Sequence, residues 1–216
     1  DSIDSKSVGT QFPQVWDFIK GYSPKNEDNG VCSLYYDYNP LFPPVAPNLS
    51  GFKLANGAHY TDFLSHGFSN ELFLLSEKAK RFIEDQHIDV HRFYRGKVTN
   101  IRKNKVEDYY VMKLISENWS FLDFPNCEFY IEDDELDKII PIEINSSEEF
   151  IMKWNEFLAD EEDFHVIYSR VTKMTTEFYK KELDLFMIDK CNHDWYVSER
   201  FVDTYYKNKL TGLEFE

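Results

Sequence analysis

The chain mixes many short candidate strands with a few amphipathic helices, and the two kinds of element do not alternate regularly. A parallel sheet built from βαβ units needs that alternation, whereas an irregular order is typical of α+β domains. A chain of 216 residues buries roughly 70% of its unfolded surface, which is enough for a full hydrophobic core. We therefore predict an α+β fold with mixed or mainly antiparallel sheets of short strands and about four to five helices.

Serines followed by acidic and then amphipathic segments mark the predicted helix starts. Ser76 and Ser198 each precede a glutamate and an apolar pattern at helical spacing. Each hydroxyl can accept a hydrogen bond from a free backbone N–H group in the first helical turn. Ser146 or Ser147 is predicted to begin another helix, which runs through Phe157 and carries an apolar stripe.

Short β-branched and aromatic runs predict the strands. The predicted strands are 31–38, 92–98, 109–115, 128–131, 138–142, 165–170 and 195–197. The charged turn 102–105 is predicted to join the strands 92–98 and 109–115 as a hairpin. Loops are predicted in the proline-rich run 40–47 and in the following segment that holds Gly51 and Gly57, because proline lacks the N–H group that a strand or helix needs and glycine favours turns. A short helix or turn is predicted near 60–64, and a longer helix within 176–189.

Two segments are predicted along the chain. Residues 1–59 form an N-terminal region with one strand and the proline-rich loop, and residues 60–216 form the main α+β region. We expect both to belong to one compact unit.

Two stretches at an offset of 122 residues, 74–94 and 196–216, resemble each other. Each has an apolar lead-in, a serine cap, a helix, a turn and a predicted strand that ends on a phenylalanine, Phe93 or Phe215. Any capped helix followed by a strand has this pattern, and two copies are too few for a solenoid.

The same stretches carry a family resemblance. The phrases FLLSEKAKRFIE and WYVSERFVDTYYKNKLTGLEFE, with YYVMKLISENWSFLDF between them, resemble bacterial immunity proteins of polymorphic toxin systems, in the families numbered eleven and forty-three. The resemblance spans roughly Tyr60 to Glu216. It implies a non-catalytic protein that binds and neutralises a cognate secreted toxin, with no cofactor and no catalytic residues.

The acidic residues are concentrated in one part of the chain. Residues 128–163 contain 14 Asp and Glu but only two Lys, and the whole chain has a net charge of −15. The densest runs are Glu132, Asp133, Asp134, Glu135 and Asp137, followed by Asp160, Glu161, Glu162 and Asp163. Such a field steers a basic partner to its site, so we predict that these residues bind the toxin. The alternative is a solvated surface that keeps the protein soluble.

Three tyrosines form a second candidate contact. Tyr35, Tyr36 and Tyr38 lie in the first predicted strand, and tyrosine is enriched at protein interfaces. Alternation places Tyr36 and Tyr38 on one side of that strand and Tyr35 on the other. We expect one side to pack in the core and leave the other as a partner-binding candidate.

A metal-assisted hydrolase that uses the acidic cluster is the alternative function. The segment that begins at Asp133 does not match an EF-hand calcium loop. Its sixth residue is Lys138 rather than glycine, and its twelfth is Ile144 rather than glutamate. Cys191, His193 and Asp194 lack a fourth metal ligand at suitable spacing. No GxSxG, HExxH, Walker or dinucleotide-binding glycine motif occurs, although partners of a Ser or Cys nucleophile would meet only in space. We predict a protein that is not an enzyme and holds no metal.

Composition limits the compartment and the partners. The three cysteines, Cys32, Cys127 and Cys191, are odd in number and widely spaced, which favours free thiols in a reducing cytoplasm. No apolar run is long enough for a membrane span. A pI near 4.8 argues against binding to nucleic-acid phosphates. The predicted partner is thus a basic toxin protein, with no membrane and no nucleic acid.

Overall fold

The computed structural model of the chain describes residues 13–24, 30–35, 41–69, 71–133, 138–159, 167–188, 190–191 and 195–215. The helices are α1 (Glu77–Glu84), α2 (Ser147–Ala159), α3 (Thr176–Tyr179) and α4 (Glu199–Lys207). The strands are β1 (Val15–Phe18), β2 (Leu49–Leu54), β3 (Phe63–Leu64), β4 (Leu72–Leu75), β5 (His91–Asn100), β6 (Lys105–Leu114), β7 (Glu128–Asp133), β8 (Lys138–Ile142), β9 (Ile167–Val171), β10 (Leu185–Met187) and β11 (Trp195–Val197). Helices and mainly antiparallel sheets thus coexist, and the predicted α+β fold is confirmed.

The chain divides into two compact units. Unit 1 is Asp1–Ile115 with Ser198–Glu216, and unit 2 is Ser116–Val197. The predicted segment boundary at 59/60 lies within unit 1. Unit 2 carries 21 Asp and Glu against 7 Lys and Arg, whereas unit 1 carries 18 against 17. Nearly all of the net negative charge of the chain therefore belongs to unit 2.

Unit 1 is built on a six-stranded sheet in the order β1-β2-β5-β6-β4-β3. The pair β2–β5 is parallel and the other pairs are antiparallel. The predicted hairpin is the central pair, β5 and β6, which are connected by residues 101–104. Tyr94, Val98 and Val111 project from this pair into the buried core of the unit.

The two serine caps are confirmed. The Ser76 Oγ accepts a hydrogen bond from the Ala79 N–H at 3.1 Å, and the Ser198 Oγ accepts one from the Phe201 N–H at 3.1 Å. Each bond satisfies a backbone donor that has no partner within the helix. Helices α1 and α4 meet through Phe82 and Phe201, whose ring centroids lie 4.9 Å apart.

Removing either cap is expected to destabilise unit 1. Ser198→Ala should lower the free energy of unfolding by about 1 kcal/mol. Ser76→Ala should cost more, because the Ser76 hydroxyl also donates to the Asp62 carboxylate at 2.8 Å. Urea unfolding measures both effects, and Ser198→Thr, which keeps the capping oxygen, is the control. Equal losses for Ser198→Thr and Ser198→Ala would contradict the capping role.

The strand predicted at 31–38 is wrong where the structure describes it. Val31–Leu34 form a 3-10 helix, closed by a hydrogen bond from the Tyr35 N–H to the Cys32 carbonyl at 3.1 Å. Val31 and Leu34, three residues apart, are both fully buried in the core of unit 1. Burial at the three-residue period of this helix thus overrides the β propensity of the run. The rest of the predicted strand, 36–38, lies outside the described residues.

Phe93 lies in β5 as predicted, but the strand predicted to end on Phe215 is absent from the described residues 210–215. The Thr211 carbonyl accepts a hydrogen bond from the Phe63 N–H at 2.9 Å, and the Asp62 carboxylate accepts two from Thr211. Phe215 packs its ring 5.0 Å from that of Tyr205 on α4. A backbone hydrogen bond to Phe63, the bonds to the Asp62 carboxylate and the packing of Phe215 therefore hold this segment, without a strand ladder among the described residues.

Three shorter predictions also need correction. In the predicted loop that holds Gly51 and Gly57, Gly51 belongs to β2 and Gly57 lies in the turn after it. The predicted helix or turn near 60–64 contains the short strand β3. The helix predicted within 176–189 ends at Tyr179 and is followed by β10. Glu182 has a φ of +47°, a left-handed conformation that a continuing helix does not allow. The chain leaves the helix there and pairs with β11.

The cysteines agree with the prediction of free thiols. Cys32, Cys127 and Cys191 are all free thiols. Among the described residues, no helix has both the length and the apolar character needed to cross a membrane.

Candidate protein-interaction surface

Unit 2 contains a three-stranded antiparallel sheet in the order β8-β7-β9. One face is covered by α2, whose fully buried Phe150 packs 6.0 Å from Phe129 of β7, measured between ring centroids. The helix begins as predicted. The Ser146 Oγ accepts from the Glu149 N–H, and the Glu149 carboxylate accepts from the Asn145 N–H at 2.7 Å. These reciprocal bonds, similar to a capping box, hold the helix start beside the sheet.

The opposite face of this sheet, called the open face below, carries half-buried tyrosines and exposed apolar side chains among the described residues. Tyr130 of β7 pairs across the strands with Tyr168 of β9, and their rings stack with centroids 5.4 Å apart. On the other side of β7, Tyr130 pairs with Pro141 of β8. Ile139 projects on the same face as Pro141 and is 53% exposed. Side chains alternate along a strand, so the residues that fill the core leave this aromatic and apolar row facing outward.

A groove of about 540 Å³ includes part of the open face. Arg170 and Tyr130 both line it, and the guanidinium carbon lies 5.8 Å from the centre of the Tyr130 ring, within the range of a cation–π contact. Cys127 also lines the groove. Burial raises the pKa of the Cys127 thiol, which favours the protonated form over the nucleophilic thiolate. The groove therefore offers stacking and apolar contacts to a partner.

Most of the predicted acidic contact residues lie outside the part of the chain that the structure describes. For Glu132 and Asp133 the structure describes the backbone alone, in the last two positions of β7. The others lie outside the described residues: Asp134, Glu135, Asp137, Asp160, Glu161, Glu162 and Asp163.

The topology nevertheless relates the two acidic runs. The first run extends from the end of β7 to Lys138, the first residue of β8. The second run precedes β9, which begins at Ile167. Ile167 pairs with Ile131, two residues before the end of β7. Both runs are therefore joined by the chain to the same end of the sheet, the end at which Asp133 and Lys138 pair.

The predicted tyrosine contact is only partly described. Tyr35 is half-buried and packs against the core of unit 1. Tyr36 and Tyr38 lie outside the described residues. Tyr35 thus belongs to unit 1, whereas the acidic runs belong to unit 2.

The residues weighed for metal binding are also only partly described. Cys191 is buried, whereas His193 and Asp194 lie outside the described ranges. Within the described ranges, no three His, Cys, Asp or Glu side chains come together as metal ligands. The predicted absence of a metal remains a prediction, because most of the acidic cluster lies outside those ranges.

Sequence reasoning missed Tyr130, Tyr168 and Ile139 as candidate contacts. Both strands that carry the tyrosines were predicted, and the alternation of side chains along β7 places Tyr130 on the face opposite to Phe129 and Ile131. The missing information was the register that places Tyr130 opposite Tyr168. This register depends on the pairing of strands that are distant in the sequence.

These features define an α+β protein in which one strongly acidic unit carries a sheet face of half-buried tyrosines and exposed apolar side chains. No protein-family model matches the chain, and no curated protein is significantly similar to it. The surface of unit 2 is therefore the main structural basis for a functional proposal.

Proposed function

We propose that this chain is a non-catalytic immunity protein that binds and neutralises a basic cognate toxin through unit 2. The observation that carries the proposal is the open face of the β8-β7-β9 sheet in the most acidic part of the chain. Stacked tyrosines and exposed apolar side chains are typical anchors of protein interfaces. The sequence resemblance to immunity proteins agrees with this assignment. The three free cysteines are compatible with the bacterial cytoplasm, where we propose that the protein acts.

The charge and the open face have different roles in this proposal. The net charge of −14 on unit 2, from 21 acidic and 7 basic residues, accelerates the encounter with a positively charged surface. The Tyr130–Tyr168 pair and Ile139 then exclude water and slow dissociation. Charge therefore acts mainly on the association rate, and the open face mainly on the dissociation rate.

The direct test is co-expression with the toxin encoded beside the gene for this chain. We expect a stable complex and loss of toxin activity at stoichiometric amounts of the full chain. The contrary result is metal-dependent hydrolysis by the chain alone, abolished by neutralising Asp133, Asp134 and Asp137. That outcome would support the hydrolase and overturn the proposal.

Neutralising acidic residues is expected to slow association with the toxin. The triple variant Asp133→Asn/Asp134→Asn/Asp137→Asn should associate about tenfold more slowly at low salt, and the difference should shrink as salt screens the field. Stopped-flow measurements at several salt concentrations give the rates. The thermal midpoint should hardly change, because solvated carboxylates contribute little to the free energy of unfolding.

A charge-matched control distinguishes a local effect from a change in net charge. Glu199, Asp203 and Glu214 are exposed acidic residues of unit 1. Their replacement by Gln, Asn and Gln changes the net charge equally and should leave the association rate almost unchanged. Equal slowing in both triple variants would show that the acidic runs of unit 2 are not the contact region.

A further inference from the structure

A basic segment stands out in unit 1. Residues 90–106 contain six Lys and Arg and no Asp or Glu, in a chain whose net charge is −15. Arg95 and Lys105 form ion pairs with acidic residues of β6. Arg102 and Lys103, in the turn between β5 and β6, are exposed and form no ion pair within the part of the chain that the structure describes. Two cationic side chains at this end of the hairpin therefore have no ion-pair partner among the described residues.

These two side chains line a pocket of about 400 Å³. On the hairpin side, the Asn100 Oδ1 accepts a hydrogen bond from the Lys103 N–H at 2.9 Å and shapes the turn. The opposite wall is the turn after β2, where Gly57 has a φ of +89° and the Ala58 N–H donates to the Ala55 carbonyl. The volume lies within the range of small-molecule sites.

Hydrogen bonds hold the two walls of the pocket in place. The fully buried Gln14 donates from Nε2 to the His59 carbonyl at 2.7 Å, which positions the wall after β2. The Tyr60 hydroxyl lies 3.2 Å from the carbonyl oxygens of both Val98 and Lys105, and so joins this wall to the hairpin. The pocket is therefore formed before any ligand arrives, which reduces the entropy cost of binding.

The donors of the pocket suit an oxyanion. The pocket can present N–H groups from Arg102, Lys103, His59 and Asn56. None of the described residues that line it carries a carboxylate. Arginine binds phosphate oxygens in a bidentate manner, and lysine adds a point charge. We propose that this pocket binds the phosphate group of a small phosphorylated molecule. This site is separate from the sheet face of unit 2 and does not depend on the proposed immunity function.

Calorimetric titration of the full chain tests the site. The ligands are inorganic phosphate and adenosine monophosphate, at constant ionic strength with chloride as the balancing anion. Saturable binding of either at one site per chain is expected. Equal affinities identify the free anion as the recognised group, whereas tighter binding of the nucleotide identifies a phosphate carried on a larger molecule. Arg102→Gln/Lys103→Gln should weaken binding at least tenfold.

The control variant is Lys20→Gln/Lys97→Gln, which removes the same charge from exposed lysines outside the pocket. It should bind as the wild type does, and circular dichroism confirms that both variants are folded. Three results would overturn the proposal. The first is no saturable binding of either ligand, and the second is an equal loss of ligand affinity in the two double variants. The third is an affinity for a single-stranded oligonucleotide that rises with the length of the oligonucleotide. The last would indicate a nucleic-acid surface.

Discussion

The Tyr130→Ala/Tyr168→Ala variant is expected to bind the toxin at least about 100-fold more weakly than the wild type. The two stacked rings form the aromatic centre of the open sheet face. Buried tyrosines at the centre of an interface commonly contribute 2 kcal/mol or more each on truncation, a cost of roughly tenfold in affinity per 1.4 kcal/mol. Surface plasmon resonance should show the loss mainly as faster dissociation.

Tyr179→Ala is the matched control, because Tyr179 is a 65% exposed tyrosine of unit 2 on α3 rather than on the sheet. It should leave the affinity unchanged. Ile139→Arg provides a second test on the same face, since it adds a positive charge that repels a basic partner, and it should also weaken binding. Unchanged affinity in both sheet-face variants, with the fold intact, would place the interface elsewhere.

Gly212→Ala should destabilise unit 1 by about 3 kcal/mol. Gly212 has a φ of +103°, a conformation that side chains rarely adopt. An added Cβ would also lie against the carbonyl oxygen of Phe63 and close to the Thr61 Oγ1. The C-terminal segment would have to move away from Phe63, which would break the hydrogen bond between Phe63 and Thr211.

The control for this prediction is Gly67→Ala. The backbone of Gly67 does not adopt the left-handed φ range that favours glycine. An added Cβ would lie 3.5 Å from the nearest atom, a Pro13 carbon, which is an ordinary van der Waals contact. Its cost should stay within about 0.5 kcal/mol. Urea unfolding curves measure both changes. Similar stabilities for the two variants would show that the close approach of Gly212 to Phe63 does not limit the fold.

The elements predicted correctly are those with local causes. The caps at Ser76 and Ser198 need a hydroxyl and a backbone N–H three residues later. The hairpin turn between β5 and β6 is a short connection between two adjacent strands. The strands β8 and β11 match their predicted bounds. Each of these signals lies within a few residues, where propensity and pattern act directly.

The predictions that failed depend on contacts between distant residues. Val31–Leu34 has β propensity, but it forms a 3-10 helix because Val31 and Leu34 are both buried in a core assembled from other parts of unit 1. The segment after α4 forms no strand among the described residues, and it is held by Asp62 and by the Phe63 N–H group, about 150 residues earlier in the sequence. Propensity describes a segment in isolation, and burial against distant elements outweighs it.

The candidate surface shows the same division. Local composition identifies the acidic runs and the alternation of Phe129, Tyr130 and Ile131, because charge and side-chain period need no partner strand. The tertiary fold brings Tyr168 beside Tyr130 and joins both acidic runs to one end of the sheet. Tyr130 and Tyr168 are 38 positions apart in the sequence, and the antiparallel pairing of β7 with β9 places them side by side. That register depends on the face that α2 buries, which a single strand does not encode.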